Sequence, residues 1–158
     1  MGIGFSDLFE IEILNSTCGC SVNEIVPADN FDLGISFCPD GNLFGLSGLI
    51  YQIDPLTGIS ILIYPDPPWL PPVEGLLCDG DSIFYFMSNG PNGHLYILNI
   101  NMGTITDLGN TGYEVEGEIT LFNGAMYASV KYDTPQGPSG GIILIDPMNP
   151  SNSTLIVS

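Results

Sequence analysis

A phrase recurs along this chain at fixed spacing, and the spacing limits what the chain can fold into. FDLGISFCPDGNLFGL begins at Phe31, VEGLLCDGDSIFYFM at Val73 and VEGEITLFNGAMYAS at Val115, so successive starts lie 42 residues apart. Each copy carries a turn dipeptide (Asp40-Gly41, Asp79-Gly80, Asn123-Gly124) and then a short run with an aromatic residue, Phe44, Phe84 or Tyr127. After a loop come IYQID, LYILN and IILID, and each unit closes with ISILIY, TITDLG or STLIVS. Short runs of β-branched and aromatic residues bounded by Gly, Pro and Asn turns are strand signals. No long segment repeats apolar residues at three and four, so helices are not expected.

Four short strands in about 42 residues is the signature of a propeller blade. A leucine-rich solenoid has a shorter unit, and an immunoglobulin-like sandwich does not repeat internally. Residues 31–72, 73–114 and 115–158 read as three whole blades. Residues 1–30 read as the outer half of another, because LFEIEIL from Leu8 matches LIYQIDPL and SVNEIV matches ISILIY. The expected fold is all-β, with propeller-type blades of four antiparallel strands and about 3.5 blades, an incomplete ring. An open ring leaves a sheet face and a strand edge unpaired. The expectation is therefore part of a larger protein, or one that completes itself with another copy or a partner through its open blade edges.

Charge narrows the partners. Eighteen Asp and Glu stand against the single Lys131, for a formal net charge of −17. Neutralising phosphate requires Lys and Arg, so nucleic acid and anionic membrane surfaces are excluded as partners. No run of eighteen apolar residues exists to insert a helix into a membrane. The N-terminus MGIGFSDLFE has no basic and apolar leader regions, so the expectation is a leader already removed or a chain that belongs to something longer.

The four cysteines form an even set without the paired Cys-x2-Cys spacing of zinc sites. Cys38 and Cys78 occupy equivalent positions in adjacent blades, where neighbouring inner strands come within bridging distance, so a Cys38–Cys78 disulfide is expected. That leaves Cys18 and Cys20 as a local pair in STCGCS. Free buried thiols are the alternative for all four.

Asp32, Glu74 and Glu116 recur at the same point of successive units, at the start of the strand that would line the central channel. A solvated acidic rim is the plain expectation. A cation site, for which calcium suits oxygen-only ligands, is the alternative, and no other cofactor is implied. Asp54, Asn99 and Asp146 sit where the hairpin turns; capping those turns is the plain expectation, and a ligand role for the carboxylates is the alternative. YEVEGE places Glu114, Glu116 and Glu118 on one face of a regular strand, and His94 shows no acid or nucleophile partner in the sequence. Trp69, in PDPPWLPP, either covers apolar surface beneath a stiff link or, if exposed, anchors a protein or a glycan. No nucleophile elbow or phosphate loop is present, so enzymatic activity is not expected.

The repeat SFCPDGNLFGLSGLIYQIDPLTG resembles the propeller repeats of large secreted, adhesin-like surface proteins of Bacteroidota, relatives of the YVTN and NHL type. The Trp-Asp signature of WD40 blades, the Gly-Gly of kelch and the Asp-box of sialidases are not in it. The resemblance implies a secreted or cell-surface recognition or spacer module. Its rival is a polysaccharide-acting hydrolase or lyase that uses channel carboxylates.

Overall fold

Hairpin turns set the boundaries of the fold, and one shows the physics plainly. Asn123 and Gly124 have φ of 51° and 76°, the paired left-handed geometry of a two-residue type I′ turn, and Phe122 pairs with Ala125 across it. The computed structural model describes the backbone of residues 7–14 and 19–27, and in full residues 34–48, 50–65, 70–80, 82–90, 92–135 and 137–157. Among them are fourteen strands and one 3-10 turn at Pro150–Asn152.

β1 (Asp7–Leu14) and β2 (Gly19–Pro27) form a two-stranded sheet. The first four-stranded sheet runs β3 (Gly34–Phe37), β4 (Leu43–Leu46), β5 (Ile50–Ile53) and β6 (Ser60–Tyr64), in that order. The second has β7 (Val73–Cys78), β8 (Ile83–Ser88), β9 (His94–Asn99) and β10 (Thr104–Asn110). The third has β11 (Glu114–Phe122), β12 (Ala125–Thr134), β13 (Gly137–Ile145) and β14 (Thr154–Val157). Every pairing is antiparallel between consecutive strands. The sequence expectation of four-stranded antiparallel units holds.

Alternation along each strand sends residues to two faces, and the sheets stack through them. Phe44, Leu46 and Ile50 of the first sheet meet Val73, Phe84 and Phe86 of the second, with the Phe44 and Phe84 rings edge to face at 4.9 Å. The opposite face of the second sheet, with Leu77, Met87 and Leu95, packs on Val130, Ile143 and Ile145 of the third. Phe84, Leu76, Met87, Leu95, Leu98 and Ile143 are completely buried. At about 1.5–3 kcal/mol for each large side chain, these two layers supply most of the favourable folding energy.

Turn chemistry accounts for the Asp or Asn that ends the repeated phrase. Asp54 accepts the Leu56 backbone N–H at 2.8 Å, Asn99 that of Met102 at 3.0 Å and Asp146 that of Met148 at 3.0 Å. All three cap turns.

Candidate functional site

The first strands of the three four-stranded sheets, β3, β7 and β11, come together, and their closeness depends on glycine. Gly75 has φ +66°, and a methyl group there would lie 2.8 Å from the Gly117 carbonyl oxygen and 3.0 Å from Ile119. Any side chain would push β7 off β11. Both strands also bulge at this level. One extra residue enters between Glu74 and Leu77, and two enter between Val115 and Ile119, opposite a regular β8 and β12.

The β11 bulge corrects the sequence reading of YEVEGE. Glu114, Glu116 and Glu118 do not share one face of a regular strand, because the two inserted residues, with Gly117 at φ +130°, break the alternation. Glu116 is exposed, and its backbone oxygen accepts the Ser129 hydroxyl at 3.2 Å. Glu118 is exposed as well, but its carboxylate reaches across the inner strands. Its Oε1 accepts the Ile35 N–H of β3 at 3.2 Å and its Oε2 accepts the Leu76 N–H of β7 at 3.3 Å. One carboxylate thus ties three strands. Desolvation pushes its pKa above the ordinary 4.5, against the downward pull of the Leu76 and Ile35 donors.

Glu118 also borders a cavity of about 470 Å³, lined by Ile35, Ser36, Phe37, Thr120 and Leu121 with Cys38 and Cys78 in its wall. Two further links hold that wall. Cys38 and Cys78 form a disulfide with their Cα atoms 4.9 Å apart, and the Ser36 hydroxyl oxygen accepts the Cys78 N–H at 3.0 Å. The cavity wall is thus cross-linked covalently and by a hydrogen bond, is partly apolar, and carries one acid of raised pKa.

Of the residues singled out from sequence, Glu74 is half-buried on β7 and accepts a short hydrogen bond from the Asn89 side chain, while Glu116 stays on the surface. Asp32, Trp69 and Cys18 lie outside the described residues, as does the side chain of Cys20. Among the described residues no three His, Cys, Asp or Glu side chains gather as a metal-holding group. Sequence reasoning passed over Glu118. The signal was its departure from the repeat, since positions 42 and 84 residues earlier are Leu76 and Gly34, the very places its carboxylate reaches.

Two other polar arrangements are built into the surface. Asn42 donates to Asp40 through both its backbone N–H (3.0 Å) and its side chain (2.7 Å), and accepts from Gln52 Nε2 at 3.0 Å. With Ser82 and Asn101 these residues line a second cavity of about 500 Å³ between the first two sheets. His94 does have an acid partner, which the sequence did not reveal. Its Nδ1 lies 2.8 Å from Asp107 Oδ2 on the neighbouring strand, and its ring stacks on Tyr96 at 6.3 Å.

Neither protein-family models nor curated proteins give a match to this chain. Solved structures do. The Nidogen/Laminin complex aligns with TM-score 0.60 and 12% identity over 89% of this chain and 54% of that one. TolB from Acinetobacter baumannii aligns with TM-score 0.56 and 18% identity over 96% and 40%. A putative oxidoreductase (glucose dehydrogenase) from Thermus thermophilus aligns with TM-score 0.55 and 13% identity over 91% and 49%. At these identities the likeness is one of fold. The chain is an all-β protein of β-propeller type, and it spans about half the length of the structures it resembles.

Proposed function

We propose that this chain is an extracellular structural and recognition module, a rigid stack of propeller blades displayed on a cell surface or secreted, which assembles with further blades or subunits. The observation that carries the reading is the Cys38–Cys78 disulfide joining adjacent inner strands, since such bonds persist in oxidising compartments and are rare in reducing ones. The surface agrees: with eighteen acids and one lysine it disfavours polyanions and leaves a protein or a glycan as the partner. In this reading the inner-strand carboxylates hold strands together rather than turn over a substrate, and no resident cofactor is required.

Fractionation of the native cells, with thiol titration of the denatured protein, tests the proposal. The expected result is protein at the surface or in the medium with Cys38 and Cys78 unreactive. Reduced protein confined to the cytosol overturns it. The rival polysaccharide hydrolase is addressed by Glu74→Ala and Glu116→Ala. If the wild type releases reducing ends and folded variants do not, the chain is an enzyme; if chelator lowers its melting temperature, a calcium site is present.

A further inference from the structure

One position breaks the repeat on a sheet face otherwise given to core. The residue paired with the aromatic of each sheet's second strand is Gln52 in the first sheet, opposite Phe44, but Leu98 opposite Phe84 in the second and Leu144 opposite Tyr127 in the third. Pairing puts Gln52 on the same side as Phe44, the side that packs on the second sheet. Its Nε2 donates to Asn42 Oδ1 at 3.0 Å instead of joining the apolar layer. The space beside it is the cavity of about 500 Å³ between the first two sheets. Small-ligand sites span about 300–1,000 Å³, so this one is of useful size.

The polar groups of this cavity are held in place by the fold. Asp40 follows Cys38 by two residues, and the disulfide ties Cys38 to the second sheet. The turn between them closes through the Gly41 N–H to the Cys38 carbonyl at 2.9 Å and the Cys38 N–H to the Asn42 carbonyl at 2.8 Å. Asn42 then bridges Asp40 and Gln52. Groups fixed in this way lose little freedom when a ligand arrives. They also keep capacity in hand. An amide nitrogen has two N–H donors and a carboxylate about four acceptor positions, so the network leaves one N–H on each of Asn42 and Gln52 and further lone pairs on Asp40. The Ser82 hydroxyl and the Asn101 amide face them from turns of the second sheet.

We propose that this cavity binds a neutral sugar, a hexose or N-acetylhexosamine unit of a glycan. A sugar hydroxyl donates and accepts at once, which matches amide donors and carboxylate acceptors set side by side. An anion finds no partner, because Lys131, the only basic residue of the chain, stands on β12 and does not line the cavity. A cation is poorly served: among the described residues Asp40 is the only carboxylate in the lining, and Asn42 already engages both its oxygens. Phe44 and Ile100 add an apolar wall for the C–H face of a sugar ring. The inference rests on the recognition reading above and gives it a ligand class.

Saturation-transfer NMR on the full chain tests it, with the methyl glycosides of glucose, galactose, mannose and N-acetylglucosamine as probes. One sugar held by a few hydrogen bonds binds weakly, so the expected result is saturation of at least one glycoside with a Kd of about 1 mM. Gln52→Leu installs the residue type that the other two sheets carry at this place, so it should keep the fold while weakening that binding about tenfold. Asp40→Ala should weaken it at least as much; if circular dichroism shows that variant unfolded, Gln52→Leu decides. No saturation of any of these glycosides up to about 10 mM overturns the proposal. So does binding that Gln52→Leu leaves unchanged, or binding that requires added calcium chloride. A surface protein with Cys38 and Cys78 oxidised that binds none of these sugars would leave the module reading standing, whereas sugar binding by a reduced cytosolic chain would do the reverse, so the two failures are distinguishable.

Discussion

Glu118 shows how one side chain settles the geometry of the inner strands. Its two oxygens accept the backbone N–H of Leu76, inside the β7 bulge, and that of Ile35 on the neighbouring β3, and Gly34 leaves room for it, since a methyl group there would come within 3.1 Å of Oε2. Glu118→Ala removes both hydrogen bonds and, because the side chain is exposed and water can replace it at Ile35, should cost about 0.5–1.5 kcal/mol in a urea titration. Glu118→Gln retains one acceptor and should cost less. The pH dependence follows from the raised pKa. A carboxyl whose folded pKa lies above 4.5 binds protons more readily folded than unfolded, so its contribution is fully present below 4.5 and is lost as pH rises through the folded value. Asp54 acts oppositely: the Leu56 N–H and Thr57 lower its pKa, so its contribution is present above 3.8 and lost as pH falls through its lower folded value. The melting temperature of the wild type should therefore fall as pH rises from 4.5 through the Glu118 transition, and Glu118→Gln should remove that component. An unchanged profile in the variant would refute the assignment.

At the scale of elements, the inner strands are joined by covalent, polar and glycine-dependent contacts more than by large apolar side chains. The disulfide closes a separation of 40 residues, and removing that constraint from the unfolded chain costs about 4 kcal/mol by loop-closure entropy. Reduction, or Cys38→Ser with Cys78→Ser, should lower the melting temperature by roughly 10 °C, given about 2–4 °C for each kcal/mol at this size. Scanning calorimetry with and without reductant measures it, and a shift below about 2 °C would show that the staple adds little. The four-strand unit was legible in the sequence because it repeats every 42 residues, and the Cys38–Cys78 pair because both cysteines stand just before the first turn of consecutive units, although 40 residues rather than 42 separate them. The β11 bulge was not legible. Alternation in YEVEGE reads as an unbroken strand, and only the register against β12 shows that two of the three residues between Val115 and Ile119 are extra. The His94–Asp107 pair was hidden for a related reason: Asp107 stands opposite Tyr96 and His94 opposite Asn110, so the two meet diagonally across a ladder that shifts register between Asp107 and Gly109. Periodic features survive the passage from sequence to fold, whereas bulges, which move functional side chains, are departures from the period.

At the scale of the whole molecule, the imbalance of charge acts on stability through the ionic strength. Seventeen net negative charges over a surface of 9368 Å² leave about 550 Å² to each, a mean spacing of roughly 23 Å. The Debye length is about 8 Å at physiological ionic strength and about 30 Å at 10 mM, so the charges are screened from one another in saline and exposed to one another in dilute buffer. Unfolding separates them, which means their repulsion opposes the folded state and does so more strongly at low salt. The single Lys131 stands opposite Glu114 across the β11–β12 ladder and offsets little of this. The melting temperature should rise steadily from about 10 to 150 mM sodium chloride and then level off, because adding salt beyond that point shortens a screening length already well below the spacing. A melting temperature that does not respond to salt over this range would refute the repulsion between the charges of one chain.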